Sequence, residues 1–168
     1  MQNQNNEYPI DYKFARQKII KESPSVVVNS LKESHYRYQN IVLPQIEQSF
    51  IGLIKIFPEI PSLSVIFKVF IKFEIAMKFH IALEEEIIFN EYLFQTNLQK
   101  PINETTHEDE EPFLSEIINL IKKENCIHNP FCRILVQQLK RFDEELKHHA
   151  WIEENIIYKK IRENRMSY

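Results

Sequence analysis

Apolar residues recur along this chain at helical spacing, in four long stretches separated by breaks that contain proline. Residues 1–22 are polar and predict a loose or partly helical lead-in. Ser23 and Pro24 then stand at a helix start, because proline is tolerated where a helix leaves its first N–H groups unpaired. The first long helix is predicted over about residues 25–57, with a kink at Pro44, whose ring clashes with the preceding turn. "FPEIPS" makes a short turn, and a second helix covers about residues 62–94. The polar stretch "QTNLQKPINETT" leads to a third helix over about 107–124, "NCIHNP" breaks it, and a fourth covers about 131–163. Four long helices with short connections predict an all-α fold, an antiparallel up-down-up-down four-helix bundle over residues 25–163. Residues 1–24 precede it as the lead-in, and 164–168 follow as a tail.

Polar residues interrupt the inward rows. Ile66, Phe73, His80 and Ile87 fall at seven-residue steps, and Glu84 continues the row of Phe70 and Met77. In the fourth helix Phe142, His149 and Ile156 share a row, and Leu139, Leu146 and Glu153 share the next. His107 heads a row with Leu114 and Ile121, and His35 stands between Val28 and Val42. His148, in a row with Arg141 and Asn155, belongs to a solvent-like face. The second and fourth helices carry nearly the same words. "FHIALEEEIIF" (79–89) aligns with "HHAWIEENIIY" (148–158), pairing His80 with His149, Glu84 with Glu153 and Glu85 with Glu154. About 24 residues separate His35 from the first turn, and about 21–25 separate that turn from His80 and Glu84, so antiparallel helices of equal rise fold them back to one height. The same holds for His107 against His149 and Glu153, each about 21–25 residues from the break between them.

A buried ionised carboxylate is costly unless it is paired or bound to a cation. His-x-x-x-Glu puts both side chains on one helix face, a turn apart, where they can grip one metal ion or bridge two. Mixed imidazole and carboxylate donors favour iron or manganese over the metals that thiolates select. Two carboxylates from different helices can each bridge two ions, which explains why the unit occurs twice. A lone histidine on an apolar face is more commonly a hydrogen-bonded core residue, so the bland alternative is a metal-free bundle with a buried polar network. A ferritin-like scheme, with Glu104-x-x-His107 and Glu145-x-x-His148, is weaker, since Glu104 falls in a predicted loop and His148 points outward.

A length of 168 residues suits one domain with a full core, and a single glycine, Gly52, favours helices over strands and tight turns. A net charge of −3 gives no reason to expect nucleic acid, and charged residues interrupt each apolar run before it reaches a membrane span. Cys126 and Cys132 could form a disulfide or, with His128, a weak metal site, but they read as two unrelated thiols near a helix start. The start "MQNQNNEYP" lacks the features of a secretory signal, and with so few cysteines this predicts a cytoplasmic protein.

The two His-x-x-x-Glu-Glu units, each running on into two aliphatics and an aromatic, resemble the hemerythrin-like domain, in the form found in iron–sulfur cluster repair (repair of iron centres) proteins. The "HED" segment at His107 is similar to that family's Glu-His-Asp, with Thr106 in place of the leading Glu. The resemblance covers about residues 25–162 and implies a non-haem di-iron centre held by His35, His80, His107 and His149 and bridged by Glu84 and Glu153. Six protein ligands with two bridges leave each iron short of six-coordination, with room for an oxo bridge or a small diatomic. Tyr38, Trp151 and Tyr158 are candidates to line its surroundings, against the alternative of ordinary core packing.

Several departures stand beside it. Oxygen-carrying hemerythrin has a His-x-x-x-His pair on its third helix and a final Asp, where this chain has His107 with Glu111, and Glu153. Aligned on Leu43-Pro44, His35 falls one residue before the family's ligand, where Tyr36 stands, an offset that a local kink would correct. Pro112 predicts a late start or a bend in the third helix, and Asn90 and Lys159 occupy positions that are usually proline in the family. Residues 1–24 contain no cysteine, unlike the short amino-terminal domain of full-length repair proteins. The resemblance implies a role in nitrosative or oxidative stress, donating iron to damaged iron–sulfur proteins or reacting with NO or O₂, as an iron-binding protein rather than a turnover enzyme. The alternatives are a module that senses O₂, NO or iron and alters a partner surface, and the metal-free bundle.

Overall fold

The computed structural model describes residues 12–94 and 111–166, with side chains from 113 onward in the second span. These residues form five helices and no strand. Helix α1 is Tyr12–Ile19. Helix α2 spans 24–56 as Pro24–Arg37, a π-helical stretch Tyr38–Val42, and Leu43–Ile56. Helix α3 spans 62–94 as Ser62–Leu83, a second π stretch Glu84–Ile88, and Phe89–Phe94. Helix α4 is Glu111–Lys122, followed by a 3₁₀ turn at Asn125–His128. Helix α5 spans 130–166 as Pro130–Ile152, a third π stretch Glu153–Tyr158, and Lys159–Met166.

The helix starts follow from local chemistry. Ser23 is extended (φ −69°, ψ 154°) and Pro24 takes the first helical position. At α5, the Phe131 N–H donates to Asn129 Oδ1 at 2.9 Å and Pro130 stands between them. Where a kink is expected at Pro44, the chain widens into the first π stretch, in which the Leu43 N–H reaches back five residues to the Tyr38 carbonyl. A π turn holds an extra residue, which accommodates the proline's missing donor just downstream. The expected tail differs, because α5 continues to Met166. Ile161 is buried and Arg165 clamps the buried Glu91 of α3 through two hydrogen bonds of 2.8 and 2.9 Å.

Helix α2 packs on α3 and α5, α4 packs on the same two, and α3 meets α5 again near their C-terminal ends. Helix α1 lies on α5. The core falls into two apolar clusters. The larger, around Phe50, Phe70, Leu114, Leu135 and Phe142, fills the end with the short connections. The smaller gathers Val27, Val28, Leu31, Phe89, Ile157 and Ile161 at the other end. Each fully buried Phe or Leu stabilises the fold by roughly 1.5–3 kcal/mol, so the clusters can carry a polar layer between them. That layer is where the imidazoles and carboxylates lie.

The π stretches shift the helical phase beyond it. Ile87, inward by the seven-residue row, is 41% exposed, and Ile88 and Phe89 are buried instead. In α5, Ile157 and Tyr158 are buried where Ile156 is only partly so. No described helix is long and apolar enough to cross a membrane. His107, with Glu104 and Thr106, lies outside the described residues.

Candidate metal centre

Helix α2 supplies His35, one turn before its π stretch. Helices α3 and α5 supply Glu84 and Glu153, each the first residue of its π stretch, with His80 and His149 a turn earlier. One ligand atom from each of His35, Glu84, His149 and Glu153 falls within 4.8 Å of every other, and all four residues are buried. The two imidazoles meet at 2.9 Å, Nε2 to Nε2. His149 Nε2 is 2.8 Å from Glu153 Oε1, and His35 Nε2 is 3.5 Å from Glu84 Oε2 and 3.9 Å from Glu153 Oε1. His80 is also buried, with Nε2 3.0 Å from Glu84 Oε1, but stands outside the mutual group of four.

Proton counting shows what the arrangement demands. His35 Nδ1 faces Glu85 Oε1 at 2.9 Å, and an ionised carboxylate can only accept, so a hydrogen bond there requires the proton on Nδ1. In neutral His35 the Nε2 lone pair then faces His149 and both buried carboxylates. His149 Nε2 carries at most one hydrogen for two close neighbours, His35 Nε2 and Glu153 Oε1. A cation among the four resolves this, whereas a proton on His35 Nε2 would still leave His149 Nε2 unable to serve both neighbours. Burial works against an imidazolium at His35, but hydrogen bonds to Glu84 and Glu85 and the charges of Glu84 and Glu153 outweigh it and raise its pKa. The site attracts positive charge. Two carboxylates and two imidazoles with almost no exposed surface could hold a metal ion.

The surroundings are partly as expected. Tyr158 is buried with its hydroxyl donating toward Glu84 Oε1 at 3.5 Å. Burial, then the charges of Glu84 and Glu153, push its pKa up, so the phenol keeps its proton. Tyr38 sets its ring edge-on to His149 at 5.6 Å and donates to the Glu145 carbonyl at 3.4 Å. Trp151 lies elsewhere, packed on the smaller apolar cluster under the Arg16 guanidinium, 4.7 Å from the ring centroid. Tyr36 is 68% exposed, and His35 is the residue that turns inward. The π stretch at Tyr38–Val42 inserts an extra residue between His35 and Leu43-Pro44.

Other expectations change. His148 is half-buried rather than on a solvent face, because α1 covers it. Tyr12 lies tilted against its ring, with centroids 4.7 Å apart, and Arg16 Nε donates to its Nδ1 at 3.4 Å. Glu145, from the weaker ligand scheme, is buried against Arg37 and lies 3.6 Å from Arg141 Nε. Cys126 and Cys132 are not unrelated, since Cys126 Sγ donates to Cys132 Sγ at 3.3 Å and both are buried, while His128 is exposed. Burial, then the neighbouring thiol, pushes the Cys132 pKa up to about 12. Sequence reasoning missed the role of Glu85 because it sits in a run of three glutamates. The signal was His35 itself, whose own i+4 residue is Gln39 rather than a carboxylate.

A cavity adjoins His35, Glu84 and His149, with His80, Phe73, Met77, Ile81, Leu114 and Leu146 in its wall and Asp143 and Lys147 also lining it. Comparison with protein-family models, with curated proteins and with solved structures finds no match.

Proposed function

We propose that this chain is a hemerythrin-like non-haem di-iron protein with up-down-up-down topology, acting in nitrosative or oxidative stress by donating iron or reacting with NO or O₂. The observation that carries the reading is the buried group His35, Glu84, His149 and Glu153, three helices converging on one point with donors that suit iron. His35, His149, Glu84 and Glu153 would hold one ion, with the two carboxylates free to bridge. His80, beside Glu84, and His107 would complete the second position. Bound iron would supply the redox and diatomic-binding chemistry. The chain's own residues orient the donors, keep the Tyr158 phenol protonated beside Glu84, and exclude bulk water with two apolar clusters. The cavity beside the site, walled mostly by apolar side chains, is compatible with small uncharged molecules, a class that includes O₂ and NO.

Sensing is the second reading, favoured by α1. That helix grips His148 and Trp151, on either side of His149, so a change at the metal has a short route to a surface element. Iron-loaded protein mixed with an apo iron–sulfur protein separates the two readings. Donation predicts that iron leaves and the acceptor regains its cluster when sulfide is present. Retained iron, with oligomeric state changing on oxidation, would favour sensing instead.

A further inference from the structure

We propose that Glu85 is the positioning residue for His35, fixing its tautomer so that the Nε2 lone pair faces the metal position; the inference rests on the metal-binding reading above. Helix α3 holds the His35 ring from two sides. Phe89 stacks on it, with centroids 5.6 Å apart and planes 9° from parallel, and Glu85, one turn earlier, accepts from Nδ1 at 2.9 Å. The ring is fully enclosed, with 2% of the side chain exposed, while Glu85 keeps 35% of its own exposed and reaches inward from the rim. With Nδ1 protonated, Nε2 is left as the donor atom among Glu84, Glu153 and His149.

The repeat provides the contrast. His80 and His149 each have a glutamate four residues on, on their own helix. His35 has Gln39 there and takes a carboxylate from α3 instead. The equivalent of Glu85 in the second unit, Glu154, turns outward and pairs with Arg162 at 2.7 Å, with 56% of its side chain exposed. One motif position therefore does two jobs. An outer carboxylate on a ligating imidazole fixes ring orientation and raises ligand basicity, and its loss typically weakens metal binding about tenfold to a hundredfold.

Three variants test the assignment: Glu85→Ala, Glu85→Gln, which keeps an acceptor oxygen, and Glu154→Ala as the matched control. In metal-free protein at mildly alkaline pH, ring ¹⁵N shifts should show His35 with its proton on Nδ1 in wild type and in Glu85→Gln, and a move toward Nε2 in Glu85→Ala. Ferrous iron titrated anaerobically should bind Glu85→Ala about tenfold to a hundredfold more weakly than wild type, with Glu85→Gln closer to wild type and Glu154→Ala unchanged. Matching tautomer and affinity in Glu85→Ala and Glu154→Ala would overturn the assignment while leaving the metal reading intact. If wild type takes up no iron, the metal reading fails, and with it the purpose assigned to Glu85. The ¹⁵N shifts then report separately whether the tautomer lock exists.

Discussion

At Glu153 a carboxylate with no exposed surface faces two imidazoles and, across the site, the Glu84 carboxylate. Such a group is costly to bury unless positive charge accompanies it, so its effect on stability depends on what occupies the site. Glu153→Gln should raise the melting temperature of metal-free protein, by roughly 1 kcal/mol of stability, while sharply lowering its iron content. Thermal unfolding with and without chelator checks both, and destabilisation of the metal-free form would contradict the account. Glu47 offers a test away from the site. It shares a proton-accepting environment with Glu74 on α3, and its pKa is raised by the hydrogen bond with Glu74, by burial and by the Glu74 charge, with Lys78 opposing. A raised folded-state pKa means that protonation favours the fold. Its contribution is full below the unfolded carboxyl pKa and is lost as pH rises through the folded value. Glu47→Gln mimics the protonated form, so it should raise the melting temperature at neutral pH, with the gain shrinking as pH falls through the acid range. Solvent screens this pair, and the effect is small.

At the scale of an element, α2 carries the only glycine of the chain in its second half. A methyl group added at Gly52 meets nothing within 4 Å. Gly52→Ala should therefore stabilise the protein by about 1 kcal/mol through helix propensity alone, read as a higher denaturation midpoint with an unchanged denaturant slope. The helices themselves were legible because prolines punctuate the chain and the apolar rows keep one period between them. Rows through Val28, Phe70 and Phe142 also brought His35, Glu84 and His149 to buried positions. The π stretches were not legible, since an extra residue in a turn changes no composition and shows only as a later phase shift, Ile88 replacing Ile87 and Ile157 replacing Ile156 in the core. Nor was the docking of α1, whose Tyr12 and Arg16 hold His148 and Trp151 while Ile19 packs on the smaller cluster. Glu85 was hidden by its neighbours, because a run of three glutamates reads as a solvated face.

Among the described residues, two apolar clusters flank a layer of imidazoles and carboxylates. That is an expensive way to build a bundle if the layer has no ligand, because an apolar layer of the same volume would hold the helices together at least as well. Among the described residues three π stretches border that layer, two of them opening on Glu84 and Glu153, and such stretches occur frequently at functional sites. We propose that the layer exists to hold iron, and the iron content of the chain, expressed in iron-supplemented medium and purified without chelator, reads this out. Two bridging carboxylates imply about two irons per chain. About one would keep the group of four and rule out the second position. A well-folded helical protein with none would rule out a metal role for the layer.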